Sequence, residues 1–530
     1  MRKSVLFLIL FSFGFSLAFI SCKKDSDKNI KPVFANKDSL KVKSLIPFDS
    51  TLVNSFFVKY PKLQRYQEET TALYRKRNYQ YVWFDSKGML EVSHLLYNKL
   101  NDMEDDGIKT PIPYKEKLDS LFLNNIEKYK ASINDELLVS SLYFFYTHKV
   151  LDGLDAKKTT EIGWYLPRKK VSYVDYLDSI VAKPSLINKN EKKVLFEYYR
   201  LKEALLKYRK IQKNNLLNPI TIDSTIIALK PGDSSQTITQ IRQHLFVLGD
   251  IDTDSKNFVF DDELATGIVK YQNRNGLRKN KNITQKLIAS LNIPIEDRIK
   301  TIMVNMERSR WIDADVAKSK ELIVVNIPAY QLTYFKEGKP VLISNVVVGK
   351  ALNKTVIFSA DMRYIVFSPY WNVPTSILRK EIKPGIAKNP NYLAQHNMEW
   401  NNGNIRQKPG PKNSLGLVKF LFPNSNSIYL HDTPSKGLFN EEKRAFSHGC
   451  IRVAKPEELA NEILKEDKNW TPEKINAAMH KGKESWYTLK NKIPVYIGYF
   501  TAWVDDEGTL HFYDDVYQRD DQLAAMLFEE

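Results

Sequence analysis

Ile428-Tyr-Leu-His-Asp-Thr-Pro434 and Arg444-Ala-Phe-Ser-His-Gly-Cys-Ile-Arg-Val453 are the two stretches that decide how this chain folds and what chemistry it carries. In them, His431 lies 19 positions before Cys450. A thiol becomes a good nucleophile when a neighbouring base or positive charge favours its thiolate. If two sheet strands joined by a loop bring the pair together, Cys450 is the nucleophile and His431 its general base. Gly449 would let backbone N–H groups form an oxyanion hole.

Two other uses of a Cys and a His compete with catalysis. An isolated Cys is most often a small buried hydrophobe, and an isolated His is usually a structural residue. A zinc site needs three or four ligands, and no Cys-x-x-Cys or His-x-x-x-His accompanies this pair. For the pair taken alone these alternatives stay open, and we predict no metal and no cofactor.

Ser447-His-Gly-Cys450, followed by an apolar and a polar residue, resembles the active-site signature of L,D-transpeptidases with a YkuD-type catalytic domain. Tyr370-Trp-Asn-Val-Pro374 and Pro409-Gly-Pro-Lys-Asn413 resemble the long, YcbB-like branch of that family. The resemblance covers roughly residues 60 to 515, with strong motifs only from 300 onward. It implies an enzyme that acts on the stem peptides of peptidoglycan and has the peptidoglycan glycan as a further partner.

The resemblance also implies a mechanism. The thiolate of Cys450 would attack the carbonyl of the third stem residue, a diamino acid, and expel the terminal D-Ala. His431 would take the thiol proton and later deprotonate the incoming amine, with the backbone carbonyl of Asp432 orienting its ring. A side-chain amine of another stem would then complete a 3→3 cross-link.

Further residues are predicted to bind substrate. The guanidinium of Arg452 suits a substrate carboxylate, although a structural salt bridge is an equal alternative. His448 and Ser447 would either hydrogen-bond a donor stem or serve as structural residues. The full predicted set is Arg452, His448, Ser447, Tyr429, Trp371 and Asn372, with Tyr429 and Trp371 lining the cleft.

Several related activities share these residues and stay open. Water in place of the amine would make an L,D-carboxypeptidase. The acceptor would alternatively be an envelope protein, which the enzyme attaches or detaches. In a different class, the chain is a wall-binding lipoprotein without activity, a reading that the intact Cys/His block disfavours.

Composition limits the class of protein. The chain has 530 residues, 43% of them hydrophobic and 27% charged, which is typical of a globular protein of three or four domains. Its net charge of +17 favours anionic partners such as acidic lipid, cell wall or nucleic acid. No basic helix, zinc finger or RNA-binding signature appears, so we predict no nucleic-acid partner.

The N-terminus predicts export. Met1-Arg-Lys3 precedes a largely apolar run from Val5 to Ile20, which is too short for a comfortable transmembrane helix. Ser21 followed by Cys22 resembles a lipoprotein cleavage site, so Cys22 would carry the lipid that binds the membrane. The expected location is the cell envelope, facing the periplasm or anchored in the outer membrane. Once Cys22 is lipidated, Cys450 has no intramolecular partner in an oxidising compartment, which favours a chemical role for its thiol.

The sequence predicts a multidomain α+β fold. A signal peptide (1–22) and a polar tether (23–52) would precede a helical scaffold domain (53–215). Next would come a three-helix, peptidoglycan-binding-like domain (222–294) and a mainly-β catalytic domain (300–497), a sandwich rather than a doubly wound sheet. The catalytic domain would contain a lid insertion at about 374–423, and a C-terminal extension (498–530) would follow.

Helix signals predict the three helices of the domain at 222–294, and its order of motifs, from Leu229-Lys-Pro-Gly-Asp233 to the helix led by Thr284, resembles a peptidoglycan-binding domain. Ile238, Ile241, Leu245 and Leu248 have the spacing of one helix face, which Gly249 would close. Asp261 or Asp262 would cap a second helix, and Thr284 would start a third.

Overall fold

The computed structural model describes residues 46–123, 131–168, 171–188, 194–221 and 228–528. The predicted signal peptide, its Cys22 and residues 23–45 of the predicted tether lie outside these described residues. Within the described ranges, no helix is long and apolar enough to cross a membrane. Helices dominate up to residue 310 and a large sheet follows, which confirms the predicted multidomain α+β fold class.

The N-terminal region is built around the helix Ile133–Thr147, in which every side chain from Asp135 to Thr147 is buried. Ser132 begins this helix with a capping box. Its hydroxyl accepts a hydrogen bond from the Asp135 N–H (3.3 Å), and the Asp135 carboxylate accepts one from the Ser132 N–H (3.0 Å). The surrounding helices and helical turns are Leu52–Lys59, Pro61–Tyr66, Gln67–Lys76, Glu91–Asn101, Lys115–Leu123, His148–Asp152, Ala156–Glu161, Tyr173–Ala182, Pro184–Asn188 and Phe196–Lys213, with a hairpin of Phe84–Asp85 and Gly88–Met89.

A compact three-helix module follows. Its helices are Gln236–Leu248, Asp262–Arg274 and Gln285–Leu291, with a two-stranded ribbon of Ala228–Leu229 and Ile283–Thr284. Of the two candidate caps, Asp261 is the one used, because its carboxylate accepts a hydrogen bond from the Leu264 N–H (3.0 Å). Thr284 caps the third helix as predicted, and Gly249 ends the first in the left-handed conformation (φ 90°).

The helix Ile295–Arg310, which we name the central helix, connects the helical regions to the sheet. Glu307 is buried on it and accepts hydrogen bonds from Arg310 (2.9 Å), the Trp311 indole (2.8 Å) and the Leu154 N–H (2.6 Å). Each of these donors is thereby satisfied away from water. The central helix therefore joins the scaffold to the sheet through a buried polar network as well as through apolar packing.

The catalytic region is one nine-stranded sheet. Its strands are β1 (Glu321–Asn326), β2 (Gln331–Lys336), β3 (Lys339–Gly349), β4 (Phe358–Phe367), β5 (Val418–Leu421), β6 (Leu430–His431), β7 (Ala445–Ser447), β8 (Ile451–Val453) and β9 (Ser485–Gly498). Their order is β7-β3-β8-β6-β5-β4-β9-β1-β2, and β3 also pairs with β2. Strand β3 pairs with β8 and also with β2, which stands at the other end of this order, so the sheet closes on itself. The layers of the predicted sandwich are therefore parts of one continuous sheet.

The insertion after β4 is shorter than predicted. It contains helical turns at Thr375–Ile377, Leu378–Ile382, Lys383–Lys388 and Tyr392–Gln395, and a three-stranded sheet of Trp371–Asn372, Met398–Asn401 and Asn404–Gln407. A small core of its own holds it together, around Val373, Ile382 and Ile405. The predicted boundary at residue 423 is wrong, because Val418–Leu421 is strand β5 and pairs with β4 and β6.

Residues after 498 pack against the helical region and against the large sheet. Helices Pro456–Leu464, Pro472–His480 and Asp520–Phe528 and the hairpin Ala502–Val504 with Leu510–Phe512 complete the fold, with short helical turns at Ala314–Lys318, Ala351–Asn353 and Lys436–Asn440. The hairpin packs into the helical core, and the Val504 N–H donates to the buried Glu197 carboxylate (2.6 Å). The predicted C-terminal extension is therefore an integral part of the fold.

Replacing Glu307 with Ala is expected to lower the free energy of unfolding by about 3 kcal/mol, because it leaves the buried Arg310 without its counter-ion. Urea unfolding followed by tryptophan fluorescence measures the change. Glu203→Ala, at an exposed position of the helix Phe196–Lys213, is the control and should change stability by less than about 0.5 kcal/mol. Equal changes in the free energy of unfolding of the two variants would contradict a stabilising role of the buried Glu307 network.

Candidate active site

The parallel pairing of β6 with β8 brings the predicted catalytic residues together. Leu430 pairs with Ile451 and His431 with Arg452, and the Ile451 N–H donates to the Tyr429 carbonyl (3.1 Å). Side chains alternate between the two faces of a strand, so paired residues share a face. Leu430 and Ile451 are buried in the core, and His431 and Arg452 therefore project from the opposite face, which we name the catalytic face.

The catalytic face continues across the neighbouring strands. Lys419 on β5 pairs with His431, and Val366 on β4 pairs with Lys419. These residues form one row in which His431 lies between two cationic side chains, Lys419 and Arg452. Tyr429 and Cys450 lie just before β6 and β8, and the Tyr429 ring lies beside the His431 ring and contacts Cys450.

The Cys450 thiol is held close to protein donors and acceptors. Its Sγ lies 3.6 Å from the carbonyl oxygen of Ser427, and the Tyr429 hydroxyl hydrogen-bonds the sulfur. Burial raises the pKa of the Cys450 thiol, and this effect exceeds the opposing influence of Tyr429 and of the Arg452 charge. The resting nucleophile is therefore a neutral thiol that needs a base.

His431 is arranged as that base. Its Nδ1–H donates to the backbone carbonyl of Asp432, which can only accept, so Nε2 keeps its lone pair. Burial lowers the pKa of His431 to about 4, opposed by the Asp432 carbonyl, with further lowering from Arg452 and Lys419. The imidazole is consequently neutral at pH 7 and able to accept a proton. The Asp432 carboxylate is engaged elsewhere, by the Leu417 N–H (2.8 Å) and Lys436.

The turn before Cys450 decides the open alternative for Ser447 and corrects the prediction for Gly449. The Ser447 hydroxyl donates to the Cys450 carbonyl (2.6 Å) and accepts from the Gly449 N–H (3.1 Å), and Ser447 is buried. Ser447 thus holds the turn and is not placed to bind substrate. The Gly449 N–H is occupied by this bond, so it is not the predicted oxyanion donor. Within the described part of the chain, neither the N–H of Cys450 nor that of His448 makes a hydrogen bond, so these two donors are left for an oxyanion.

The same turn depends on the φ angle of Gly449 and on a close backbone approach. Gly449 has φ 117°, a conformation that other residues rarely adopt. A Cβ on Gly349 would lie 2.0 Å from the Asn353 carbonyl and 3.1 Å from the Gly449 Cα, so glycine is required there as well. Thr355 binds both glycines, accepting from the Gly349 N–H (2.9 Å) and donating to the Gly449 carbonyl (2.9 Å).

Arg452 is a cation without a carboxylate partner among the described residues. It forms no ion pair there, and its buried Nε has no hydrogen-bond partner. The structural salt bridge that the sequence left open is therefore not formed within the described ranges. Such a guanidinium beside the nucleophile is suited to a substrate carboxylate.

The remaining predicted residues lie beside the Cys450–His431 pair or contact the insertion. His448 pairs through Nε2 with Glu381 of the insertion (3.1 Å), which connects the turn to the insertion. Tyr429 lies beside the His431 ring, with ring centroids 5.7 Å apart. Trp371 and Asn372 form the strand of the insertion that pairs with Arg406–Gln407, and Trp371 packs against the insertion core.

Lys419 is the site residue that the sequence did not indicate. It is buried, its Nζ lies 3.8 Å from the Glu484 carboxylate, and burial lowers its pKa. The signal that was available is Val-Lys-Phe-Leu at 418–421, a charged residue alternating with apolar ones. The predicted lid insertion, at about 374–423, includes this segment, and its pairing with β4 shows that it is a core strand.

Alkylation of Cys450 by iodoacetamide is expected to be slow at pH 7 and to accelerate continuously as the pH rises through 9. The physical reason is that the thiol pKa is raised and that His431, with its pKa lowered to about 4, is not protonated to pair with a thiolate. Mass spectrometry of the Cys450 peptide, with glutathione as a reference thiol, measures the rate. Fast, pH-independent alkylation from pH 5 upward would show a preformed thiolate–imidazolium pair and contradict this expectation.

Two regions of the chain match known protein families. Residues 320–485 match the family model described as the L,D-transpeptidase catalytic domain (YkuD), and residues 68–205 match a scaffold domain. A Haemophilus influenzae protein named "Putative L,D-transpeptidase" is 35% identical over 222 residues. The match covers 38% of this chain and 45% of that relative, so the chain spans less than half the length of the curated relative.

Solved structures give only distant likenesses. An L,D-transpeptidase from Mycobacterium smegmatis is 11% identical, with 34% of this chain and 58% of that chain covered and a TM-score of 0.20. One from Stackebrandtia nassauensis is 14% identical, with 53% and 97% covered and a TM-score of 0.21. The family matches show that the chain contains a YkuD-type L,D-transpeptidase catalytic domain at residues 320–485 and a scaffold domain at residues 68–205.

Proposed function

We propose that this protein is a cysteine-dependent L,D-transpeptidase that forms 3→3 cross-links between peptidoglycan stem peptides. The observation that carries the proposal is the register of β6 and β8. It puts the Cys450 thiol and a neutral His431, with Nε2 unoccupied, on one face of the sheet.

Acylation would begin with transfer of the thiol proton from Cys450 to Nε2 of His431. The sulfur then attacks the carbonyl carbon of the third residue of a tetrapeptide stem. As the tetrahedral intermediate collapses, the peptide C–N bond breaks and the leaving D-Ala amine takes the proton from His431. The product is a thioester on Cys450 with free D-Ala.

The protein has groups that can bind the negative charges of the substrate, on the developing oxyanion and on a stem-peptide carboxylate. The N–H groups of His448 and Cys450 are the donors available to the oxyanion. The Arg452 guanidinium, which has no carboxylate partner among the described residues, would bind a carboxylate of the stem peptide. Deacylation reverses the order: an amine of a second stem attacks the thioester, His431 takes its proton, and the C–S bond breaks as the thiol is restored.

The location and the glycan contact are further proposals. Export with a lipid on Cys22 would hold the enzyme at the cell envelope, within reach of peptidoglycan.

The three-helix module would bind glycan, and its position supports a role near the active site. Glu442, in the loop between the two active-site motifs, accepts a hydrogen bond from the Arg278 N–H (2.8 Å) and pairs with Lys286 of the module.

The full-length protein incubated with disaccharide-tetrapeptide is expected to give a cross-linked dimer and free D-Ala, both seen by mass spectrometry. Cys450→Ala should abolish both products because no thioester forms. Disaccharide-tripeptide without a dimer would indicate an L,D-carboxypeptidase. Unchanged substrate without an adduct on Cys450 would contradict the proposal and favour a protein acceptor or a wall-binding role.

Arg452→Ala is expected to raise KM for the tetrapeptide donor about tenfold or more, because a charge-assisted hydrogen bond to a carboxylate is lost. Arg452→Lys should recover part of the affinity because it keeps the charge but not the planar fork. Steady-state release of D-Ala measures both. Arg363→Ala, an exposed arginine of the same sheet, is the matched control and should leave KM unchanged. An effect on stability alone would assign Arg452 a structural role.

A further inference from the structure

The catalytic face extends well beyond the reacting pair. Trp486 on β9 pairs with Val366, which pairs with Lys419, which pairs with His431. Directly opposed residues share a face, so the Trp486 indole stands on the same side of the sheet as the catalytic imidazole. Tyr364, two positions before Val366, belongs to this face too.

Trp486 is exposed and yet held in position. Its side chain is 56% exposed, although its Nε1–H donates to the Glu484 carboxylate (3.0 Å). The Lys419 ammonium lies 5.6 Å from the ring centre, and the Tyr364 ring meets it edge-on at 5.7 Å. A large aromatic surface left open to water but fixed by an ion network is typical of a binding platform.

The separation can be bridged by a stem peptide together with its linker and sugar. Cys450 precedes β8, and four inter-strand steps of about 4.8 Å, from β9 through β4, β5 and β6 to β8, put Trp486 about 19 Å from Arg452 on that strand. Three extended residues, from the attacked carbonyl back to the start of the stem, span about 10 Å. The linker between the stem and its sugar adds to that length, so the sugar would arrive near Trp486 when the third residue is at Cys450.

We propose that Trp486, supported by Tyr364, is a sugar-binding subsite that stacks against the pyranose ring bearing the donor stem peptide. This inference rests on the proposed function and extends it, because it makes the substrate a glycan-linked stem rather than a free peptide. The C–H bonds on one face of a pyranose carry partial positive charge and pack on the negative face of an indole. Glu484, beside the ring, offers an acceptor to sugar hydroxyl groups.

Calorimetric titration of the full-length Cys450→Ala variant tests the subsite without turnover. The probes are disaccharide-tetrapeptide and the same tetrapeptide without sugars. We expect the disaccharide-linked probe to bind about tenfold more tightly, and Trp486→Ala to bring the ratio of the two affinities close to one. Trp486→Tyr should keep part of the preference. Tyr165→Ala, which removes a similarly exposed aromatic (54%) beside Ile357, just before β4, should keep all of it.

Each outcome bears on the subsite separately from the activity. A ratio near one before Trp486 is replaced, a ratio unaffected by Trp486→Ala, or no binding of the disaccharide-linked probe would overturn the inference. Circular dichroism of each variant confirms that it is folded, and Trp486→Tyr repeats the test if Trp486→Ala is not. If the preference for the disaccharide-linked probe depends on Trp486 but the protein with Cys450 intact releases no D-Ala, the proposed function is contradicted and the sugar-binding subsite still stands.

Discussion

The site depends on the parallel pairing of β6 with β8, two strands separated by a loop of 19 residues. Parallel neighbours cannot be joined by a tight turn, so the chain must cross over, and here it does so through the helical turn Lys436–Asn440 and strand β7. The register then decides which side chains share a face. A slip of one residue would turn His431 into the core and bring Leu430 to the surface. The catalytic geometry and the hydrophobic core are therefore specified by the same pairing.

The end of the chain supports this arrangement from a distance. The Tyr517 hydroxyl donates to the Gly349 carbonyl (2.6 Å) and accepts from the Thr355 N–H (3.1 Å). Thr355 in turn donates to the carbonyl of Gly449 in the nucleophile turn. A tyrosine more than sixty residues after the nucleophile thus fixes the backbone beside it. The central helix adds a second connection, because its Arg308 pairs with Asp520 near the C-terminus (2.7 Å).

The sequence predicted what local chemistry and periodicity determine. Helix caps such as Thr284 and the apolar face of the first module helix follow from neighbouring residues, and the Cys/His pair follows from a short motif. Lys419 and Trp486 were not predicted as site residues, because their place on the catalytic face comes from strand pairings between distant positions. Lys419 pairs with His431, 12 positions away, and Trp486 pairs with Val366, 120 positions away. The occupied N–H of Gly449 was also missed, since a motif does not show where a neighbouring hydroxyl points.

The cations around His431 explain why a neutral resting pair is useful. Lys419 and Arg452 both oppose an imidazolium, so the thiol and imidazole stay uncharged before substrate binds. In the proposed reaction, negative charge would appear on sulfur and on the carbonyl oxygen. A fixed positive charge close to that position acts more strongly on the transition state than on the neutral ground state. Arg452, which lowers the basicity of His431, also lowers the pKa of the Cys450 thiol and would thus compensate by stabilising the thiolate that proton transfer creates.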